Sequence, residues 1–369
     1  MLSSILTRRA AALVLALSFS LLVAARPAPG AEPAAARGPI HVTDATGRVV
    51  TLAALPRRIV VAGHGPFMTL DVLEMFPEAR ERVVGLEERG SAGDDFLAMV
   101  DSSYARKTVL RTPGPEQIVA LHPDLVVTRG STPDPLGTAL GEVNIPIVYL
   151  GLETPDQFRT AVANIGALLG DPARAQEVDR WFSARLARVR TSMQVPGIRR
   201  PRVLLLEYNE MGGTAAVRVP ARPWMQTLEV QTAGGDPVWL DDAAPTSGWT
   251  VTNIEQIARW DPDEIVVVVR YSLDAAQVLA KLHADPEWGA LRAVKKGALH
   301  AFPSDVYGWD SPDPRWILGI EWLAKTLHPE RFRDLDLTAE IHAYFGTMYR
   351  LGNSAIDGKL MPRIRLDVH

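Results

Sequence analysis

The sequence predicts an α/β protein: two Rossmann-like lobes with mainly parallel sheets, joined by one long α-helix, with a cleft between the lobes. Three observations carry this expectation. Short, continuous apolar runs recur between helix-length segments, one central segment reads as an unbroken helix, and the same short motif occurs once on either side of it. Continuous rather than alternating apolarity marks strands buried on both faces, as in a parallel sheet covered by helices.

The chain begins with Arg8 and Arg9, an apolar stretch from Ala10 to Ala25, and a Pro/Ala/Gly-rich run from Arg26 to Gly38. This is the layout of a secretory signal peptide, and the apolar stretch is shorter than the roughly 20 residues that a membrane span requires. Small residues place candidate cleavage points after Ala25, Ala31 or Ala36, so residues 1–36 are read as a signal peptide and Pro/Ala-rich segment. The sequence has no cysteine, which excludes disulfides, thiolate zinc sites, a cysteine nucleophile and a lipid-modified cysteine after the signal. A freely diffusing periplasmic monomer, not a lipoprotein, is expected. Removing residues 1–36 takes away Arg8, Arg9, Arg26 and Glu32, so the formal charge moves from −4 to −6. An acidic chain without basic runs is a poor nucleic-acid binder.

From His41 to Leu52 the pattern alternates about Thr46-Gly47, as in a hairpin. Apolar runs follow at Ile59 to Ala62, Val83 to Leu86, Leu125 to Thr128 and Ile147 to Leu150, giving an N-terminal lobe over residues 37–153. Thr154-Pro155 with Gln157, and then Asp171-Pro172, are helix-start signals. Residues 154–195 are therefore interlobe helices, and Val178, Trp181, Phe182, Leu186 and Val189 recur at helical spacing in the second of them. The pattern restarts at Val203 to Leu206, Ile265 to Val269 and Leu299 to Phe302, assigning residues 196–369 to a C-terminal lobe with a helical tail. The internal echo is Glu116-Gln-Ile followed by Pro123-Asp124, against Glu255-Gln-Ile followed by Pro262-Asp263, each pair just ahead of a buried strand.

The hairpin followed by Pro56-Arg-Arg-Ile-Val60, the two Glu-Gln-Ile…Pro-Asp units, the long interlobe helix and the segment from Ser304 to Gly319 resemble the periplasmic binding proteins for ferric siderophores and cobalamin. The resemblance runs from about His41 to about Phe332. It implies the solute-binding component of an ABC importer, with two lobes joined by a rigid helix, small closure, and an iron-siderophore or similar metal chelate (corrinoid, haem) delivered to a membrane permease and its ATPase. It also places Glu116 and Glu255 where the family carries one carboxylate per lobe to dock on permease arginines. As plain chemistry, each is a glutamate in a first helical turn, favoured there by the helix dipole.

Ligands of open α/β sheets sit beyond the carboxyl ends of the strands. That rule nominates His64 and Gly65 after the first apolar run, Arg129 after the third, and Tyr208, Arg270, Tyr271, Asp305, Tyr307 and Trp309 in the second lobe. Arg129, Arg270 and Arg315 are fork-shaped donors for carboxylate, phosphate or catecholate oxygens, though Arg315 has Asp310 and Asp313 close by in sequence to organise its loop. Eight of the nine tryptophans follow residue 200, and Trp239, Trp249 and Trp309 stand in loop-like surroundings where they could wall a pocket. The alternatives within the fold are a tetrahedral oxyanion such as molybdate or tungstate, which needs only N–H donors and arginines, or a bare metal ion. For the metal, imidazole is scarce, with only His64 suitably placed beside Glu87, Glu88 and Asp305, so no metal site and no cofactor are assigned. No enzyme is expected either: Gly-x-Ser-x-Gly, the Walker loop, Gly-x-Gly-x-x-Gly and His-Glu-x-x-His are all missing, which leaves a secreted hydrolase as the weakest reading.

Overall fold

A computed structural model describes residues 38–88, 91–211, 214–270 and 273–366. The expected signal segment lies outside these residues. A hairpin opens the described chain, β1 (Ile40–Thr43) pairing antiparallel with β2 (Val49–Leu52). Asp44 holds its turn, accepting from Thr46 and Arg48, and Ala45 donates to the Tyr149 carbonyl, which lays the hairpin beside the last strand of the first sheet.

The first sheet comprises β3 (Ile59–Val61), then α1 (Pro66–Leu73) and α2 (Pro77–Arg82), β4 (Val83–Glu87), α3 (Ser91–Val100), β5 (Thr108–Leu110), α4 (Pro115–Val119), β6 (Leu125–Arg129), α5 (Pro135–Glu142) and β7 (Ile147–Leu150). All five strands are parallel, in the order β5-β4-β3-β6-β7. Val60, Val61, Val126, Val127 and Val148 are fully buried, as two-sided helix cover requires.

Two helices leave this sheet. α6 (Pro155–Leu169) is capped by Thr154, whose hydroxyl accepts from the Gln157 amide at 3.2 Å, and α7 (Pro172–Met193) by Asp171, which accepts from Arg174 at 2.9 Å. The 22 residues of α7 extend about 33 Å, enough to run the length of both lobes.

The second sheet is built from β8 (Arg202–Met211), β9 (Thr214–Pro220), α8 (Met225–Thr232), β10 (Asp236–Pro237), β11 (Trp249–Thr252), α9 (Ile254–Trp260), β12 (Glu264–Val269), α10 (Ala275–Ala284), α11 (Pro286–Ala290), α12 (Arg292–Lys295) and β13 (Leu299–Ala301). Its strands run β11-β9-β8-β12-β13, with β10 pairing the start of β8. The β8, β12 and β13 core is parallel, but β8, β9 and β11 form an antiparallel arm. Tyr208, nominated as a residue beyond a strand end, therefore lies inside β8, paired with Val217 of β9.

The sequence echo is a structural duplication. Asp124 accepts the Arg57 and Arg58 amides at 2.7 and 2.9 Å and donates its own amide to the Arg58 carbonyl, pinning the start of β3. Asp263 accepts the Arg202 amide at 3.1 Å and donates to the Arg202 carbonyl, pinning the start of β8. His122 and Asp261, each two residues earlier, share the left-handed conformation at φ +48° and +41°.

The last elements tie the lobes together. α13 (Trp316–Leu327) packs on α7, where Trp316 meets Phe158 and Phe182. α14 (Leu337–Tyr349) returns to the first lobe, where Phe345 and Tyr349 meet Phe96 of α3. Arg174, buried at the start of α7, donates to the Met75 carbonyl and to the Thr347 and Met348 carbonyls of α14. On the other end of α7, Arg185 and Arg188 pair with Glu340 at 2.8 Å, and Arg188 also with Glu321.

Arg315 lies at the centre of this junction. Its guanidinium, with no exposed surface, is 2.7 Å from Asp71 of α1 and 2.8 Å from Asp305. Asp313 lies 3.9 Å away, and its carboxyl is raised well above the usual aspartate range by burial.

Two outcomes follow from these buried charges. Arg315→Met leaves carboxylates in a dry interior without their cation, and denaturant unfolding is expected to show a loss of about 3–5 kcal/mol. Glu321, raised to about 7 from the ordinary 4.5 by burial and Glu340 despite its partner Arg188, holds a proton in the folded state that the unfolded chain has released. Its contribution is present below about pH 4.5 and is lost as pH rises to about 7. Unfolding of Glu321→Gln measured across that window is expected to move in the variant's favour, relative to the parent, as pH increases.

Candidate functional site

Ligands of open α/β sheets sit beyond the carboxyl ends of the strands, so the segments after the strands of both sheets frame the candidate site. On the first-lobe wall, the turn from β3 to α1 places Gly63 at φ +96° and Gly65 at φ +59°, a region that side chains with a Cβ rarely enter. At Gly63 a Cβ would also lie 2.5 Å from the Thr128 hydroxyl, so the turn can press against β6 only without a side chain there. The Gly63 amide donates to Glu87 at 2.8 Å, which commits that donor within the lobe. His64 is exposed at the tip of the turn, and burial followed by the nearby Arg129 charge lowers its pKa. Arg129, at the end of β6, meets Glu153 at 3.2 Å and the Met68 sulfur at 2.8 Å and is only 13% exposed.

The second-lobe wall is more open. Glu207 of β8 is buried and stands between two arginines: Arg218, directly opposite in the β8–β9 register, donates through Nε to Oε2, and Arg270, just past β12, presents Nε to Oε1 at 2.7 Å. Because both arginines use Nε toward Glu207, their terminal nitrogens are left for something else. Among the described residues those nitrogens have no carboxylate of their own beyond this shared one, and the two side chains stay 26% and 41% exposed. Trp249, at the start of β11, lies under the Arg218 guanidinium at 5.4 Å and meets Trp224 edge-on at 5.6 Å. Tyr307 reaches across the cleft to stack on Phe67 of α1 at 4.8 Å.

Several nominated wall residues have buried side chains. Arg315 and Asp305 are spent on each other, and Trp309, fully buried, donates its indole N–H to Asp305 at 3.2 Å. The Arg315 guanidinium has no exposed surface and faces Asp71 and Asp305 through Nη1 and Nε, while its other terminal nitrogen is buried without a hydrogen-bond partner among the described residues. Tyr208 is buried with its hydroxyl 3.4 Å from Glu210, and Trp239 is buried donating to the Pro220 carbonyl at 3.0 Å. Tyr271 lies outside the described residues. Glu116 and Glu255 are exposed, each in the first turn of its helix, α4 and α9. A groove of ≈ 320 Å³ lined by Tyr208, Val217, Val251, Ile254, Lys281 and Trp288 belongs to the second lobe alone. Among the described residues no group of three His, Asp or Glu side chains is arranged to hold a metal ion.

Sequence reasoning missed Arg218, Glu207, Trp224 and Phe67. The signal for Arg218 was present: Gly212-Gly213 between alternating segments is a hairpin pattern, and a hairpin about it sets Arg218 across from Glu207.

The sequence pattern of the periplasmic binding protein family matches residues 100–306, more than half of the chain. The chain belongs to that family. Among curated relatives, the molybdate-binding protein MolA of Haemophilus influenzae is 25% identical over 329 residues, covering 84% of this chain and 90% of MolA. A vitamin B12-binding protein of Pectobacterium carotovorum is 25% identical over 154 residues, covering 41% of this chain and 52% of that protein. Among solved structures, a periplasmic solute-binding protein of Veillonella parvula superposes with a TM-score of 0.68 at 20% identity, covering 88% of this chain and 97% of that one. MolA bound to molybdate gives 0.68 at 21% identity, covering 85% and 98%. At these identities the superpositions establish the fold, two α/β lobes on a helical backbone, as the sequence resemblance implied. Family members are solute-binding components of ABC transporters, and this chain is one of them.

Proposed function

We propose that this protein captures an anionic, oxygen-rich solute in the periplasm and delivers it to an ABC permease, and that a tetrahedral oxyanion of the molybdate type suits its cleft best. The observation that carries this reading is the arginine pair: the Nε atoms of Arg218 and Arg270 lie against the two oxygens of Glu207, and neither guanidinium has another carboxylate partner among the described residues. Fixed forks of this kind match the oxygens of an oxyanion and lose little freedom on binding. The Phe67–Tyr307 stack spans the cleft and leaves less room for a broad ligand, and MolA, similar along nearly its whole length, is named for molybdate. No catalytic role is proposed.

A metal chelate with acidic oxygens, such as a ferric siderophore, corrinoid or haem, is the second reading. The half-buried rings of Trp224 and Trp249, beside Arg218, favour it. Calorimetric titration of the mature chain with molybdate, a ferric catecholate and cobalamin separates the two. Molybdate is expected to bind, and Arg218→Ala or Arg270→Ala to weaken it about tenfold to a hundredfold, the worth of one charge-assisted contact. Binding of the chelates with none of molybdate would replace the first reading with the second.

Glu116 and Glu255 supply the permease contact in this proposal. Each is exposed in the first turn of the helix of one copied unit, α4 or α9. Glu116→Lys with Glu255→Lys turns attraction to basic permease residues into repulsion. Ligand affinity of the purified double variant is expected to stay at the parent value while uptake by cells falls; normal uptake at equal expression would remove both residues from the docking face.

A further inference from the structure

Three tryptophans of the second lobe surround β9, and one of them touches the arginine pair. Side chains alternate between the two faces of a sheet along each strand. Arg218 of β9 stands opposite Glu207 of β8 and opposite Val251 of β11, and Trp249, two residues before Val251, pairs with Pro220. Arg218, Glu207, Val251 and Trp249 therefore share a face, with Trp249 diagonal to Arg218, a spacing that aromatic and long side chains bridge. The guanidinium carbon of Arg218 lies 5.4 Å from the centre of the Trp249 ring. Trp249 is itself braced. Trp224, at the N-cap of α8, meets it edge-on at 5.6 Å and 81°, and the carbonyl of its pairing partner Pro220 accepts from the buried indole N–H of Trp239 at 3.0 Å.

Two constraints of different kinds act on the Arg218 guanidinium. Glu207 accepts from Nε, which fixes one edge of the fork but leaves it free to turn about that hydrogen bond. The Trp249 ring opposes the turn, because a cation is attracted to the face of an indole. Arg270 has the first constraint without the second. It meets Glu207 through Nε at 2.7 Å, no aromatic ring among the described residues lies under it, and it is 41% exposed against 26% for Arg218. We infer that Trp249 is a positioning residue: it sets the plane of the Arg218 fork before an anion binds, while Arg270 is held at Nε alone. This role presupposes the anion reading of the cleft. A fork oriented beforehand loses less freedom on binding and so contributes more to affinity. Removing the ring then costs affinity only through Arg218. A tryptophan that touched the solute directly, or that only filled the sheet face, would contribute equally with Arg218 present or absent.

The test is a pair of double-mutant cycles read by calorimetric titration of the mature chain with molybdate. Trp249→Leu is expected to weaken binding about threefold to tenfold, the worth of a partly exposed cation–π contact, and Trp249→Phe, which keeps a ring, by less. In an Arg218→Ala background Trp249→Leu is expected to change affinity by less than about twofold, the scatter of independent sites. In an Arg270→Ala background it is expected to cost the same factor as in the parent. Equal effects of Trp249→Leu in the parent and in Arg218→Ala, including no effect in either, overturn the inference and leave the anion reading standing. Failure of the parent to bind molybdate overturns the anion reading and this role with it. If Trp249→Leu does not fold, the same comparison made with Trp249→Phe decides, since a loss that persists without Arg218 is again the overturning result.

Discussion

Arg315 carries a charge with no water to hold it, and the arrangement of the two lobes follows from how that charge is satisfied. Its partners come from both sides of the cleft: Asp71 from α1 of the first lobe, Asp305 from the segment after β13 of the second. Rings of Phe96, Tyr307 and Phe345 lie 4.8 to 5.7 Å from the guanidinium and keep the site dry. In such surroundings an ion pair is tolerated only when nearly every donor and acceptor is used, and separating its members leaves each one unpaired. A rotation that pulled α1 away from the 304–315 segment would do this. The same rotation would break the Arg174 bonds to Met75, Thr347 and Met348 and bend α7. These contacts oppose such a rotation of one lobe against the other.

The fold was legible because its strongest elements are repeated and two-sided. Burial on both faces wrote β3, β4, β6, β7, β12 and β13 into the sequence as apolar runs, and the repeated Pro-Asp pair does the same work in both lobes, fixing the start of β3 through Asp124 and of β8 through Asp263. The elements that escaped are those facing water on one side. β5 is three residues long with no fully buried member, and β9 and β11 alternate in character, as Val217-Arg218-Val219 shows. A search for unbroken apolarity passes over such strands, so the antiparallel arm read as a loop and took Arg218 with it.

Within the site, position along the motif was a better guide than residue type. Arg129 and Arg270 were nominated because each ends the strand that follows a copied unit, and the structure sets one beside Glu153 and the other beside Glu207. Asp305, Trp309 and Arg315 were nominated because polar and aromatic residues in a strand-end segment suit a ligand wall, yet they form the plug beneath it. Composition does not separate the two roles: a buried ionic network and a binding wall draw on the same residues. The distinguishing feature is mutual neutralisation, since Arg315 has Asp305, Asp310 and Asp313 within ten positions in sequence, enough opposite charge to satisfy it inside the protein.

One short segment thus serves both the lobe junction and the cleft. Between Ser304 and Arg315 the chain sends Tyr307 to stack on Phe67, Asp305 and Arg315 to the junction, and Asp310 to Gln226 of α8. Gly308 allows these roles to coexist, because a Cβ there would lie 2.3 Å from the Asp310 carboxylate, so the chain can double back on itself only where there is no side chain. The arginines that face the cleft are in turn positioned by Glu207, not by the ligand. Arg218 and Arg270 are thus held by the protein itself, one beside each oxygen of a buried carboxylate.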